Sequence, residues 1–156
     1  MGGSLVLQLA ADRGREVAGL VLVNPAVNTE RKDVLALPVL KHLVGAFPGI
    51  ANDIKKPGVE EHGYPRTPLK AAHSMMVAWK SVREDLPKVT QPLLMFLSLE
   101  DHVVDASSGR IIRGAVSSRD LNERILDNSY HVATLDNDAP IIFEESAQFI
   151  RRVTGP

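Results

Sequence analysis

The chain contains no cysteine. Disulfides and thiolate metal sites are therefore excluded, and the composition suits a cytoplasmic protein. Neither sign of charge is in excess: 18 lysines and arginines stand against 19 aspartates and glutamates, a formal net charge of −1. That balance gives no electrostatic reason to expect nucleic acid or an anionic membrane as a partner. No apolar run approaches the ~20 residues of a transmembrane helix. The amino end lacks a basic n-region and an A-x-A-like cleavage site, so it does not read as a signal peptide. There is no H-E-x-x-H or other compact ligand spacing, and neither a metal nor a cofactor is expected. Internal repeats and low-complexity segments are absent too.

What remains is ordinary globular material. The 156 residues are 44% hydrophobic and 24% charged, about one domain's worth of chain, long enough to bury a core. Two apolar runs stand out, Val17 to Val23 ended by Asn24-Pro25, and Leu93 to Leu99 followed by polar residues. Unbroken Val- and Leu-rich runs bounded by breakers predict strands buried on both faces. Residues 4–12, "SLVLQLAAD", predict a well-buried helix through Leu5, Val6, Leu7, Leu9 and Ala10, stopping at Arg13-Gly14. "SSGRIIRGAV" predicts a helix, "NERILDNS" a short strand, and "DAPIIFEESAQFIRRV" a closing amphipathic helix with Arg151 and Arg152 near its C-terminus. Strands alternating with helices imply an α/β class with a parallel sheet.

Residues 26–88 break this rhythm. Prolines and glycines are scattered through a mixed helical pattern, and "TPLKAAHSMMVAWKSVRED" places Thr67 before a proline at the expected first helical position. A connection this long between sheet strands predicts an inserted cap or lid rather than a loop. The expected division is a core of residues 1–25 and 89–156 with a cap of residues 26–88.

Polar groups that directly follow strand ends are the first place to look for chemistry, because open α/β sheets bind ligands at their carboxyl edge. Asp101 in "SLEDHVVD" and His131 in "NSYHVATLD" occupy such positions. A carboxylate and a histidine after successive parallel strands can meet across that edge, the acid orienting the imidazole and the imidazole acting as general base. Taken singly, an aspartate in a loop is more often solvated and a histidine more often structural. Order and position after two strands favour the pair. Asp105, preceding "ASSGR", suits capping of the next helix better than the acid role, and Asp136 and Asp138 likewise suit capping of the last helix. His102 is expected to face solvent or pack beside the acid, and His42, His62 and His73 to be structural or surface groups of the cap.

The run "MGGSLVLQLA" resembles the sequence after the nucleophile serine of α/β-hydrolases, whose elbow reads G-x-S-x-G and often continues S-M-G-G into a helix. "PLLMFLSLEDHVVD" resembles that superfamily's acid segment and "SYHV" its histidine segment, in the order nucleophile, acid, histidine. "YPRTPLKAAHSMM" and "REDLPKVTQPLL" are similar to the cap-to-strand passage of bacterial carboxylesterases and monoacylglycerol-lipase-like enzymes. The resemblance implies a serine hydrolase of carboxylic or monoacylglycerol esters, with a small acyl ester as substrate, Asp101 as triad acid and His131 as base. It places the nucleophile one position before Met1, and the backbone N–H of Met1 as an oxyanion-hole donor. Ser4, Ser98 and Ser129 do not sit on an elbow, so these 156 residues by themselves are expected to be inactive. Leu35, Leu37, Val39, Leu40, Phe47, Met75, Met76 and Trp79 of the cap are expected to line an acyl pocket or pack cap on core. Other readings on the same fold are a thioesterase or a proline-type aminopeptidase. A third is a non-catalytic α/β fragment acting in protein interaction. The few predicted strands leave an open, apolar sheet edge, a surface for homo-oligomer formation.

Overall fold

The computed structural model describes residues 1–49 and 52–155. Three parallel strands form its centre: β1 (Leu20–Val23), β4 (Leu93–Ser98) and β5 (Leu121–Leu126), in the order β1-β4-β5. The register aligns Leu20 with Leu93 and Leu93 with Leu121. The predicted Val17–Val23 run pairs only over its second half, and β1 ends at Asn24, whose φ of 45° turns the chain sharply out of the sheet. An asparagine tolerates that left-handed conformation better than other non-glycine residues.

Strand side chains alternate between two layers, as a period of two requires. Leu20, Leu22, Leu93 and Met95 face helices α1 (Gly2–Arg13), α3 (Leu69–Asp85) and α4 (Ser107–Ala115), meeting Leu7, Ala10, Val82 and Ile112 in one buried cluster. Leu94, Phe96 and Leu126 face α5 (Ala139–Thr154) and meet Ile142 and Phe149 in a second. Gly19 permits the close seat of α5, since a Cβ there would lie 3.0 Å from the Phe149 ring. The arrangement is a helix–sheet–helix sandwich of α/β class. Within the described residues β1 pairs on one side only, so its other edge is open.

Helix α1 corrects one expectation. It is not buried all round: Leu7 and Ala10 face the core, while Leu5 and Leu9 are exposed. A single helix lying on one face of a sheet can bury only one stripe. Its start is fixed by Gly3, where a Cβ would approach Pro25 Cβ to 2.8 Å, and Gly14 closes it with a φ of 52°.

Between β1 and β4 lie α2 (Leu37–Leu43), the antiparallel pair β2 (Ala46–Pro48) and β3 (Arg66–Pro68), and α3. The helical expectation for residues 26–88 missed this pair. Pro68 ends β3 and precedes α3 rather than opening it, its ψ of 124° being extended. The carboxyl half of α3 belongs to the main core through Val82, and Leu86 follows it there. No helix of the described residues is long and apolar enough to cross a membrane.

Candidate active site

Asp101 and His131 come from the loops that follow β4 and β5, at the carboxyl edge of the sheet. The structure brings them together: His131 Nδ1 and Asp101 Oδ2 are 2.9 Å apart. The other carboxylate oxygen of Asp101 accepts the backbone N–H groups of Val103 at 2.9 Å and Val104 at 2.7 Å. The Asp101 side chain is 7% exposed and that of His131 28%, so the acid is shielded while the imidazole reaches the surface. A carboxylate only accepts, so the hydrogen of this contact sits on Nδ1, and in the neutral imidazole Nε2 then carries the lone pair. Among the described residues no hydrogen bond engages Nε2.

The main chain of His131 is held as well. Its N–H donates to Asp53 Oδ2 at 3.0 Å, and its carbonyl accepts Asn24 Nδ2 at 2.9 Å. Asn24 also donates to Ser98 Oγ and accepts the Ser98 N–H, tying the ends of β1 and β4 to the loop that carries His131. Asp53 is the residue that sequence reasoning missed. Its Oδ2 accepts the His102 N–H at 3.2 Å, and its Oδ1 lies 2.7 Å from His102 Nδ1. The ring of His102 stands edge-on to Tyr130, with centroids 4.7 Å apart, and is more than half exposed.

The remaining polar residues mostly serve loops. Asp105 accepts the N–H and hydroxyl of Ser107 at the start of α4 and the N–H of Glu30 at 2.7 Å, so it caps and ties rather than pairing with His131. Burial opposes its ionisation, but the bonds from Ser107 and Glu30 outweigh it and hold the carboxyl below the usual range. Asp136 and Asp138 depart from the capping expectation. Asp136, nearly inaccessible, accepts the N–H groups of Lys55, Lys56, Tyr130 and Asn137. Asp138 precedes α5, but its carboxylate takes the Asn128 N–H, and its carbonyl takes those of Ile141 and Ile142. Since Pro140 offers no N–H, little is left for a side-chain cap. Ser4 Oγ donates to the Met1 carbonyl, Ser98 Oγ to the Tyr130 carbonyl, and Ser129 Oγ accepts the Asp138 N–H. Of the histidines in residues 26–88, His73 accepts from Lys41 Nζ at 3.1 Å, while His42 and His62 are exposed. No three His, Asp or Glu residues among those described gather as a metal site would require.

Met1 stands at the head of α1, largely exposed, its carbonyl taken by Ser4. The contact of Gly3 with Pro25 sets that helix start beside the end of β1, on the edge that carries Asp101 and His131. Above this edge a cavity of about 440 Å³ opens in the 26–88 segment, lined by Leu37, Leu40, Phe47, Leu69, Met75 and, from the acid loop, Val103. Leu35 and Met76 line a separate hollow. Val39 points to solvent, and Trp79 is buried.

A parallel sheet sandwiched by helices, with an acid and a base on the loops after adjacent strands, has the build of an α/β-hydrolase. The comparisons agree: the chain belongs to the Hydrolase_4 family, described as serine aminopeptidase, S33, whose model matches residues 1–138. It is 35% identical over 159 residues to a thermostable monoacylglycerol lipase of Bacillus sp. (strain H-257), covering 99% of this chain and 61% of the relative. A solved structure of a metagenome-derived lipolytic enzyme, from the pair LipS and LipT, superposes with a TM-score of 0.92 at 39% identity, over 97% of this chain and 62% of that one. A soluble variant of monoglyceride lipase from Saccharomyces cerevisiae shares the fold at a TM-score of 0.77 and 14% identity, over 99% and 60% of the two chains. The chain thus spans about three-fifths of the length of these relatives.

Proposed function

We propose that these residues form the acid-and-base portion of a serine hydrolase that cleaves carboxylic esters, monoacylglycerols among them. The observation that carries the reading is the 2.9 Å contact between His131 Nδ1 and a shielded Asp101, at the sheet edge where an α/β-hydrolase does its chemistry. The reacting serine is assigned to the position immediately ahead of Met1. Its hydroxyl attacks the ester carbonyl while His131 Nε2 takes the proton. The tetrahedral oxyanion is met by backbone N–H donors, that of Met1 among them where it is an amide. His131 then returns the proton to the departing alcohol, leaving an acyl-serine that water hydrolyses by the same route. Asp101 fixes the tautomer and stabilises the imidazolium. Residues 26–88 serve as the cap, and their cavity bordered by Val103 accepts the acyl chain. Likeness to a monoacylglycerol lipase at 35% identity supports the ester class over the peptidase reading that the family description keeps in view. The open edge of β1 is where further strands, or a second copy of the chain, pair.

The test uses a protein that carries the serine ahead of Met1, assayed on short-chain acyl esters and a monoacylglycerol. Asp101→Asn is expected to lower kcat by about 10⁴ and His131→Ala by about 10⁶, as in other serine triads. These 156 residues alone are expected to show no turnover. Full activity in both variants defeats the assignment.

A further inference from the structure

We propose that Asp53, contributed by the cap segment, is a positioning residue for the base His131. The inference rests on the ester-hydrolase reading above and concerns how that site is held. His131 lies in a turn between β5 and the short 3-10 helix Ala133–Leu135 that precedes α5, where no strand ladder fixes the backbone. Three groups fix it instead. Asp101 takes the ring at Nδ1, Asn24 takes the carbonyl, and Asp53 takes the N–H. Asn24 follows β1 and Asp101 follows β4, so of these three, Asp53 is the one that reaches the base from outside the core strands and their loops.

The Asp53 contact is doubled on both sides. The same Oδ2 accepts the N–H of His102, the residue after the acid, so one oxygen spans the acid loop and the base loop. The Asp53 carbonyl accepts the N–H of Val132, one residue beyond the base, at 3.1 Å. Asp136 holds the neighbouring Lys55 and Lys56 N–H groups from the far end of the base loop. The segment 53–56 is therefore laced along the loop that carries His131. The Asp53 side chain is 9% exposed, so loss of its oxygen leaves two N–H groups without a ready substitute. Free of that anchor, the loop can shift the imidazole relative to Asp101 and the serine. Misplacement on the order of 1 Å lowers turnover by about 10²-fold.

The chemistry of the contact separates positioning from charge. Asparagine at 53 can keep its carbonyl oxygen on the two N–H groups and turn its NH₂ toward His102 Nδ1, which then accepts as a neutral imidazole. Asp53→Asn is thus expected to keep kcat within about threefold of the parent, whereas Asp53→Ala is expected to lower it about 10- to 100-fold with KM little changed. The measurement uses the serine-bearing enzyme and pairs steady-state kinetics with the downfield proton resonance of His131 Nδ1–H. That resonance is expected to persist in Asp53→Asn and to broaden or vanish in Asp53→Ala. Should the alanine variant not fold, Asp53→Leu, which restores volume without an acceptor, carries the same expectation. Two outcomes overturn the proposal. One is alanine and leucine variants with parental kcat and an intact resonance, which would make Asp53 a cap anchor only. The other is an asparagine variant as impaired as alanine, which would make charge rather than geometry the cause. Activity surviving in Asp101→Asn and His131→Ala sinks the functional reading itself. If those two are dead while Asp53→Leu is fully active, only the present inference fails.

Discussion

Replacing Gly3 by alanine tests how tightly α1 is seated on the end of β1. Two effects of opposite sign compete. Alanine is favoured over glycine in a helix by up to about 1 kcal/mol, and by less in the first turn, where Gly3 lies. Against this, the new Cβ would stand 2.8 Å from Pro25 Cβ and 3.0 Å from Pro25 Cα. One of those atoms is backbone and the other belongs to a rigid ring that is fully buried, so neither can step aside. Overpacking of this kind costs about 1–3 kcal/mol, which leaves a net loss of about 1–2 kcal/mol after the helix gain. Two other glycines serve as controls. At Gly114, near the end of α4, an added Cβ meets nothing within 4 Å, so alanine there is expected to stabilise by up to about 1 kcal/mol. At Gly109 the atoms nearest the Cβ all belong to the Leu97 side chain, Cδ1 at 2.8 Å first among them. Leu97 borders a cavity of about 180 Å³ and can swing into it, so the change is expected to fall within about 0.5 kcal/mol of zero. Urea midpoints at constant m-value give all three. A Gly3→Ala protein as stable as Gly114→Ala would show that α1 is not fixed by Pro25, and the reasoning would be wrong.

Two further perturbations have signs that follow from the hydrogen bonding. Asp136 ionises below the ordinary aspartate range; burial opposes this, but the N–H groups of Lys55, Tyr130, Asn137 and Lys56 outweigh it. Its native pKa lying below its unfolded one, it stabilises fully above about pH 5 and loses that contribution as pH falls through the unfolded and then the native value. Asp136→Asn is therefore expected to flatten the acid limb of a stability–pH curve, and an unchanged limb counts against the account. Trp79 is 6% exposed and its indole N–H has no partner among the described residues. Trp79→Phe removes that orphan donor while keeping most of the packing, and is expected to stay within about 1 kcal/mol of the parent where Trp79→Ala loses about 3–5 kcal/mol in thermal or urea unfolding. Equal losses in both would mean that the indole is engaged after all.

The half of the site that was legible in the sequence is the half that sits on the sheet. Asp101 follows a strand made visible by apolar composition and His131 one read as a short strand from "NERILDNS", and parallel pairing brings successive strand ends side by side, so position along the chain translated into proximity. Asn24 was visible as a breaker, though not as the amide that binds the His131 carbonyl. Residues 26–88 obey no such rule. β2 and β3 are three residues each, with a proline at the end of both, too short and too interrupted for any alternation to register. Asp53 lies 78 residues before His131, in an Asn-Asp segment running toward Pro57-Gly58 that reads as a solvated turn. Nothing local distinguishes it from an aspartate in water. The same blindness explains Asp136, which its position suits to capping the helix after it and which instead binds a segment some 80 residues earlier. In both cases a buried carboxylate is satisfied by backbone N–H groups of another loop, and a backbone donor carries no side-chain signature to anticipate. Contacts of this type tie loops together, and here one of them meets the backbone of His131. Asp101 and His131 are announced by the strands, whereas Asp53 and Asp136 emerge only once residues 53–56 are folded against the loop that carries His131.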